Sequence, residues 1–243
     1  MRAFLFCIIL LFTSHPIATG LPARLYIWNV GQGQWTTYVS SNKCVHFDMG
    51  GEFAPKMRIK TMCRERRNFI HLSHADTDHI KFIFWGKKNL NSLCLIQLPR
   101  EKLSSKKKWL LSSIPKCKEQ PTLANELPLP KHLIKPNDLS RVYVLNSKGQ
   151  DVLIPGDSTA VAEQFWRTSP ELKKIKFLIL GHHGSKTSTS DNLLRALPNT
   201  LLAIASARKK RYGHPHKKVV DRLHKYSLPL LRTEQWGNIS IEM

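Results

Sequence analysis

The chain has 243 residues, of which 42% are hydrophobic and 23% are charged, and this balance excludes intrinsic disorder, collagen-like repeats and short disulfide scaffolds. Its 38 lysines and arginines exceed its 17 acidic residues, so the formal net charge at pH 7 is +21. Such an excess favours polyanionic partners, either nucleic acid or an anionic envelope surface; a charge that serves solubility alone is the alternative.

The N-terminal residues 1–20 have the pattern of a signal peptide. A positive charge precedes an apolar run over residues 3–12, which is shorter than the roughly 20 residues that span a bilayer. Small residues then suit cleavage before Leu21; a retained buried strand or a lipid anchor is the alternative. We therefore expect a secreted or periplasmic protein whose mature chain, residues 21–243, has no membrane-spanning segment.

Four cysteines follow this segment, and an even number permits two disulfides in an oxidising compartment. They are Cys44, Cys63, Cys94 and Cys117. The sequence does not choose among the three possible pairings, and buried free thiols are the alternative. The sequence contains no C-x-x-C pair, which argues against a thiolate zinc cluster and against a thioredoxin-type redox site.

Runs of β-branched and aromatic residues predict a series of strands in the first part of the chain. The first four predicted strands cover residues 23–30, 35–40, 43–48 and 68–73. Residues 80–85 are apolar, but the run is too short for periodicity to separate a helix from a strand. Residues 89–139 combine basic clusters with several prolines, and no element is predicted there with defined ends.

The second half of the chain alternates strands with helices. A hairpin is predicted over residues 142–145 and 151–154, followed by a helix over 160–168, a strand over 176–180, a helix over 191–197, a strand over 201–205 and a helix over 215–226. Neither a linker nor an internal repeat interrupts this order, which predicts one α/β domain.

Histidines and aspartates follow four of the predicted strands. The densest cluster is His74-Ala75-Asp76-Thr77-Asp78-His79, which an apolar strand anchors to the core, where unpaired carboxylates would be costly. Asp157, the pair His182 and His183, and finally His214 come after three later strands. Imidazole nitrogens and carboxylate oxygens suit Zn²⁺, Mn²⁺ or Fe. Each cluster alone could be a solvated turn, but together they predict one metal centre at one edge of a sheet.

The order of these motifs resembles the metallo-β-lactamase superfamily and, within it, the hydrolase domain of the ComEC/Rec2 competence proteins. The motifs are N-V-G-Q-G-Q at 29–34, H-A-D-T-D-H at 74–79, P-G-D at 155–157, L-G-H-H-G-S-K-T-S at 180–188, R-Y-G-H-P-H at 211–216 and T-E-Q-W-G at 233–237. The resemblance covers the chain from residue 23 to residue 243. It implies a four-layer αβ/βα sandwich with a metal site between the sheet edges.

The resemblance also implies a set of metal ligands. The metal-binding loop of the family corresponds to His74, Asp76, Asp78 and His79. Asp157 matches the later carboxylate that can bridge two metals, and His182 matches the last metal-site histidine, with His183 as the alternative. The intermediate histidine of many dinuclear members has no counterpart around residues 137–144, so the resemblance leaves open whether the site holds one ion or two.

The chain departs from the family pattern at two places. Asn29 and Gln34 stand where the first motif usually has aspartates, which makes the local site less acidic. Lys81 and Phe82 replace the glycines that usually follow the metal-binding loop. The ligand positions themselves are retained.

The implied reaction is hydrolysis by a water molecule that the metal makes more acidic. Asp78 would orient this water and accept its proton, and His214 would donate a hydrogen bond or a proton to the substrate or the leaving oxygen. Packing at the start of a helix is the alternative role of His214. Lys186 and Arg211 would contact substrate phosphate; solvation at the surface is the alternative for both.

The ComEC relatives are associated with DNA uptake, which implies a Zn²⁺- or Mn²⁺-dependent phosphodiesterase or nuclease that binds nucleic acid without sequence preference. Basic clusters that could contact phosphates cover residues 58–67, 106–108 and 208–218. One alternative is hydrolysis of another ester or amide, such as a phosphocholine ester or a β-lactam. The other is a non-catalytic protein that binds nucleic acid or the envelope and holds a structural metal.

Overall fold

The computed structural model describes residues 22–147 and 149–243. Within these residues, two six-stranded mixed sheets pack face to face with helices on their outer sides. No helix of the described ranges is long and apolar enough to cross a membrane. The signal peptide predicted over residues 1–20 lies outside the described residues.

The strands divide equally between the two sheets. They are β1 (Arg24–Ile27), β2 (Thr36–Val39), β3 (Lys43–Phe47), β4 (Arg67–His71), β5 (Leu93–Leu95), β6 (Ala124–Glu126), β7 (Tyr143–Leu145), β8 (Asp151–Ile154), β9 (Ile175–Ile179), β10 (Leu202–Ala205), β11 (Leu230–Arg232) and β12 (Ile239–Glu242). The first sheet has the order β12-β1-β2-β3-β4-β5 and the second has the order β11-β10-β9-β8-β7-β6. Strands β3 to β5 are parallel in the first sheet, as are β8 to β11 in the second.

Helices connect these strands and cover the sheets. They are α1 (Lys56–Cys63), α2 (Thr77–Ile80), α3 (Ile83–Asn89), α4 (Ser105–Ser112), α5 (Ala160–Trp166), α6 (Asp191–Ala196), α7 (Lys209–Tyr212), α8 (Lys217–Lys225) and α9 (Thr233–Trp236). In the described part of the chain, short 3-10 turns cover Asn137–Leu139, Pro170–Lys174 and Gly181–Gly184.

Alternate residues along each strand enter different layers, because successive side chains of a strand point to opposite faces. Val152 and Ile154 of β8 lie in the core between the sheets, whereas Leu153 packs with buried residues of α5, α6 and α8. In the first sheet Ile27 enters the shared core, and the next residue, Trp28, packs with residues of α1 and α3. The predicted four-layer α/β sandwich is therefore confirmed.

Helices α1 and α4 are among the described helices that had no prediction, and one predicted helix begins later than expected. Helix α1 buries only Ile59 and Cys63, so its sequence carries no apolar stripe and its helical state depends on packing. Helix α4, in the stretch without predicted elements, buries only Leu111. The helix predicted from Pro215 begins at residue 217, because His216 is its N-cap and accepts a hydrogen bond from the backbone of residue 218.

Two disulfides join the four cysteines, with Cys44 paired to Cys63 and Cys94 paired to Cys117. The first pair ties α1 to β3. The second closes the segment that follows β5, forms α4 and then returns to hydrogen-bond the backbone of Leu95. These pairings settle the choice that the cysteine spacing leaves open.

Replacing Cys94 and Cys117 together by alanine is expected to lower the free energy of unfolding by about 3 kcal/mol, because a loop whose ends are 23 residues apart is no longer closed in the unfolded chain. Both side chains are only partly buried, so the change removes little packing. Urea unfolding of the oxidised wild type and of the double variant measures the difference. A change below about 0.5 kcal/mol, the range of ordinary surface substitutions, would contradict this expectation.

Candidate metal centre

The loops that follow β4, β8 and β9 converge at one edge of the sandwich, around the carboxylate of Asp157. Its Oδ1 atom lies 3.1 Å from Nε2 of His79 and 3.4 Å from Nε2 of His183. Its Oδ2 atom lies 3.8 Å from Nε2 of His74 and 3.6 Å from Nε2 of His182. The structure thus brings four predicted histidines from two loops to one buried carboxylate, at the carboxyl ends of parallel strands.

Two sets of donor atoms lie within 4.8 Å of one another, and they are His74, His79 and Asp157, and Asp78, His79 and His183. With the contacts of Asp157 added, we divide the donors into two groups that share its carboxylate. The Asp78 group consists of Asp78, His79, His183 and Asp157 Oδ1. Its neighbouring donors include Asp78 Oδ2 and His183 Nε2, which are 3.2 Å apart, and the Nε2 atoms of His79 and His183, which are 3.3 Å apart. A tetrahedral ion with ligands at 2.0–2.1 Å places its donors about 3.3 Å apart. The Asp78 group therefore has the donor spacing of a metal site.

The second group is wider and more exposed. The His74 group consists of His74, Asp76, His182 and Asp157 Oδ2. Its measured separations are 3.6 to 3.8 Å, including 3.6 Å from His74 Nε2 to Asp76 Oδ2. Lys107 of α4 reaches Asp76 Oδ1 at 3.1 Å. Hydrogen bonding to His74 and the charge of Lys107 together hold the pKa of Asp76 well below its usual value.

Loops of the first sheet fix the backbone that carries Asp78. The backbone N–H of Gln34 donates to the carbonyl of Asp78 at 3.1 Å, and that of Met49 donates to the carbonyl of His79 at 2.8 Å. Gly50 approaches so closely that a Cβ there would overlap the Asp78 carbonyl oxygen, so only glycine fits. Gln34, which stands at one of the usual aspartate positions, therefore supports the site through its backbone.

Asp48 orients two of the imidazoles. Its Oδ2 atom accepts hydrogen bonds from Nδ1 of His79 and from the hydroxyl of Ser73, both at 2.7 Å. The Ser73 oxygen in turn accepts from Nδ1 of His74 at 3.0 Å. When it is neutral, an imidazole that donates through Nδ1 presents a lone pair at Nε2, so both rings are oriented to offer a lone pair to an ion next to Asp157.

The turn after β9 orients two further histidines. His182 and His183 have φ angles of 49° and 54°, a left-handed conformation that is unusual for two successive non-glycine residues. Nδ1 of His183 donates to the carbonyl of Ser206 at 3.1 Å, which leaves its Nε2 lone pair for the centre. His182 is partly exposed and contacts the side chain of Asn137 at 3.3 Å. The two histidines border different donor groups, so they do not compete for one position.

The donor set fits a divalent cation. Nε2 of His74 and Oδ1 of Asp157 are buried and have no hydrogen-bond partner among the described residues. Imidazole lone pairs and carboxylate oxygens that face each other in a buried site are costly unless a cation or a proton lies between them. Nitrogen and oxygen donors in this number are the ligands that Zn²⁺ and Mn²⁺ take in proteins.

Charge coupling at the centre outweighs burial. Burial alone would raise the pKa of Asp157, but the imidazoles of His183 and His79 hold it well below its usual value. Burial would likewise lower the pKa of His79, but the carboxylates of Asp157 and Asp48 hold it well above its usual value. A histidine binds a metal only through a deprotonated nitrogen, so a metal ion bound to His79 would take the place of its proton.

His214 lies at the rim of the centre, with its ring centroid 6.3 Å from that of His182. The side-chain amide of Gln32 donates to His214 Nδ1 at 3.1 Å, and its oxygen accepts from the backbone of Arg208 at 3.3 Å. Burial and the neighbouring charges of His183 and His182 lower the pKa of His214 to about 4. His214 is therefore neutral at pH 7, with its N–H at Nε2.

The two predicted phosphate contacts lie outside the donor groups. Lys186 is exposed on the loop after the 3-10 turn. Arg211 is also exposed, and its guanidinium pairs with Glu52 at 2.8 Å. Both roles stay predictions.

Asp48 and Ser73 contact the candidate ligands His79 and His74, but neither residue was predicted from the sequence to belong to the site. Asp48 ends a predicted strand and precedes Met49-Gly50-Gly51, and Asp157 likewise follows a predicted strand with a glycine beside it. This similarity was the available signal for Asp48. Ser73 is an ordinary loop serine in the sequence, and only its contacts with Asp48 and His74 show its position.

Sequence comparison relates the chain to parts of longer proteins. No family model matches it. It is 28% identical over 225 residues to Recombination protein 2 of Haemophilus influenzae, covering 88% of this chain and 28% of that protein. It is 35% identical over 104 residues to ComE operon protein 3 of Bacillus subtilis, covering 42% of this chain and 13% of that protein. The chain thus spans less than a third of the length of these relatives.

Structure comparison identifies the fold. The metallo-β-lactamase fold protein YhfI of Bacillus subtilis has a TM-score of 0.56 and 10% identity, over 92% of this chain and 100% of that one. Tm1679, a metal-dependent hydrolase of the β-lactamase superfamily, has a TM-score of 0.53 and 13% identity, over 91% of this chain and 99% of that one. The predicted resemblance is confirmed: the chain has the metallo-β-lactamase fold, and its homologues include Recombination protein 2 and ComE operon protein 3.

Proposed function

We propose that the protein is a metal-dependent phosphodiesterase that cleaves nucleic acid strands. The observation that carries the proposal is the convergence of inward-facing imidazole lone pairs and carboxylates on Asp157, at an open edge of a metallo-β-lactamase fold. A bound Zn²⁺ or Mn²⁺ would acidify water and neutralise charge on phosphoryl oxygens. The net charge of +21 supports a polyanionic substrate bound without sequence preference.

Asp78 is the carboxylate best placed to accept a proton from the attacking water. Its side chain is 38% exposed, whereas that of Asp157 is 6% exposed, so water reaches Asp78 more easily. Burial opposes ionisation, but hydrogen bonding to His183 and the nearby imidazole charges lower the pKa of Asp78. The group is therefore ionised at pH 7 and can serve as a base.

His214 is a neutral hydrogen-bond donor in this proposal. The amide of Gln32 occupies its Nδ1 acceptor, so its Nε2–H is free to donate to a phosphoryl or leaving oxygen.

A cavity of about 620 Å³ adjoins His182, and residues of its lining include Lys135, Asn137 and Val161. This cavity leaves room for the chain that flanks the scissile phosphate.

We also propose that the protein is exported and takes part in the handling of DNA. The leader-like residues 1–20 and the two disulfides support export to an oxidising compartment. The names of the relatives, Recombination protein 2 and Competence protein ComA, support a nucleic acid context.

The test of the proposed function is turnover of single-stranded DNA and of bis-p-nitrophenyl phosphate by metal-stripped protein refilled with Zn²⁺ or Mn²⁺. We expect turnover that returns with the metal and is lost in His79→Ala, while His224→Ala, an exposed histidine on α8, behaves as wild type. DNA binding without turnover under any metal would support the non-catalytic alternative. Turnover of a phosphocholine ester or a β-lactam, without turnover of single-stranded DNA, would support the other hydrolase alternative.

Replacing His214 by alanine is expected to lower kcat for a phosphodiester by about 100-fold, because the Nε2–H donor at the rim is lost. Metal content is expected to stay at the wild-type level, since His214 belongs to neither donor group. Steady-state kinetics and metal analysis of the same preparation measure both quantities, with His224→Ala as the control. An unchanged kcat would assign His214 to helix-start packing alone.

A further inference from the structure

Two exposed aromatic rings lie on neighbouring segments of the chain, one in a loop and one at the end of a short helix. Phe53, in the loop after β3, is 55% exposed, and Tyr212, at the end of α7, is 43% exposed. The chain exposes other aromatic rings as well, among them Trp109 and Trp236, so exposure alone does not mark a binding surface. What distinguishes Phe53 and Tyr212 is the set of charged groups around them.

A guanidinium lies over each ring. The Cζ atom of Arg208 is 5.7 Å from the centroid of the Phe53 ring, and that of Arg211 is 5.2 Å from the centroid of the Tyr212 ring. Both arginines pair with one carboxylate, Glu52, at 3.1 and 2.8 Å, and the Tyr212 hydroxyl lies 3.4 Å from the same carboxylate. We call these five residues the arginine–aromatic platform.

Glu52 positions the platform and leaves it cationic. Its side chain is only 14% exposed and also accepts from the backbone N–H of Gln32 at 3.1 Å. Two guanidiniums against one carboxylate leave a net positive charge, and Lys209 and Lys210 stand exposed on the same short helix. The platform therefore combines fixed aromatic faces with positive charge.

The platform adjoins the metal centre through Gln32. The Gln32 backbone N–H binds Glu52, and its side-chain amide joins Arg208 to His214. His214 in turn lies beside His182. An extended ligand that crossed the platform would thus continue to the donor groups.

We infer that the arginine–aromatic platform binds single-stranded nucleic acid, with unpaired bases stacked on Phe53 and Tyr212 and phosphates next to Arg208 and Arg211. Stacking on exposed rings requires bases that are not already stacked in a duplex, and it tolerates any base because each has a π-face. Positive charge along the path attracts the backbone. The inference rests on the proposed function for its catalytic part. It adds to that function by naming single-stranded nucleic acid as the substrate.

Binding of a fluorescent phosphorothioate oligo(dT) of about 15 nucleotides, followed by anisotropy, tests the inference without cleavage of the ligand. We expect Phe53→Leu and Tyr212→Leu each to weaken binding by about fivefold or more, because leucine keeps apolar volume but has no ring. Phe53→Trp is expected to bind as wild type. A duplex of the same length and backbone is expected to bind all these variants equally.

Trp109→Leu is the matched control, because Trp109 is 68% exposed on α4 and its ring lies 6.4 Å from that of Phe84, which is not a platform residue. Unchanged oligo(dT) binding by Phe53→Leu and Tyr212→Leu would overturn the inference, as would equal losses for single strand and duplex. Turnover of bis-p-nitrophenyl phosphate by the same variants separates the two proposals. Normal turnover with normal oligo(dT) binding refutes the platform alone, and absent turnover in wild type with ring-dependent binding refutes the proposed hydrolysis alone.

Discussion

Replacing Asp157 by asparagine is expected to weaken metal binding by at least about 100-fold, which is the upper end of the loss caused by removing an outer partner of a ligand. Both oxygens of Asp157 face imidazole nitrogens, and the two donor groups share its carboxylate. Asparagine keeps the size of the side chain but removes its charge. Phosphodiester turnover is expected to fall with the metal content.

Competition with a chromophoric chelator measures the affinity of Asp157→Asn for Zn²⁺ or Mn²⁺, and thermal unfolding shows whether the fold is retained. Asp221→Asn is the matched control, because Asp221 is an exposed aspartate on α8 whose ion pair among the described residues is with Lys217. Wild-type metal affinity in a folded Asp157→Asn variant would refute a metal centre at this position.

The positions of the candidate ligands at one sheet edge are predictable from the sequence because strand ends are local features. An apolar run that ends in His74, or in the Pro-Gly before Asp157, marks the carboxyl end of a buried strand. Parallel strands bring such ends to one edge, so distant loops meet without any further information. The resemblance to a known family then adds the order of the motifs, and the structure places the two groups of donors accordingly.

Other features depend on distances that no local pattern contains. Helix α1 lacks an apolar stripe and forms where it packs on the first sheet, beside the Cys44–Cys63 disulfide. Three cysteine pairings satisfy the spacing equally, and only the fold selects among them. The contact of Lys107 with Asp76 joins α4 to the candidate metal-binding loop, residues 74–79, across 31 positions of sequence.

The sequence motif also does not decide between His182 and His183 as the last metal-site histidine. A sequence motif offers one position for a last histidine, and adjacent residues of a regular strand would point to opposite faces. The left-handed turn instead directs both residues toward Asp157, from two sides. Backbone conformation, which the motif does not encode, therefore determines that both histidines border the centre.

The site also depends on how the two sheets meet. The loop after β4 is held by the second sheet, since the backbone N–H of Arg141 donates to the Ser73 carbonyl at 2.8 Å and the hydroxyl of Tyr143 donates to the Leu72 carbonyl at 3.0 Å. His74 and His79 thus belong to one sheet, and Asp157 and His183 to the other. A metal ion bound by both sets would link the sheets, so metal binding should also stabilise the sandwich.

Replacing Asp48 by asparagine is expected to weaken metal binding by about 10- to 100-fold although Asp48 contacts no donor position directly. Asp48 has a φ of 58°, and asparagine tolerates this left-handed conformation, so the variant keeps the local backbone. Its oxygen can still accept from the Ser73 backbone, as Asp48 Oδ1 does at 2.8 Å. The amide nitrogen then faces His79 Nδ1 and donates where the carboxylate accepted.

That reversal changes the tautomer of His79. With Nδ1 occupied as an acceptor, the ring proton moves to Nε2 and blocks the lone pair that faces Asp157. Chelator competition measures the affinity, and a histidine ¹⁵N NMR spectrum shows which ring nitrogen carries the proton. Asp151→Asn, a buried aspartate of β8 outside both donor groups, is the matched control and should bind metal as wild type does. Wild-type affinity in Asp48→Asn, with the proton still on Nδ1, would show that Asp48 does not set the orientation of the imidazole.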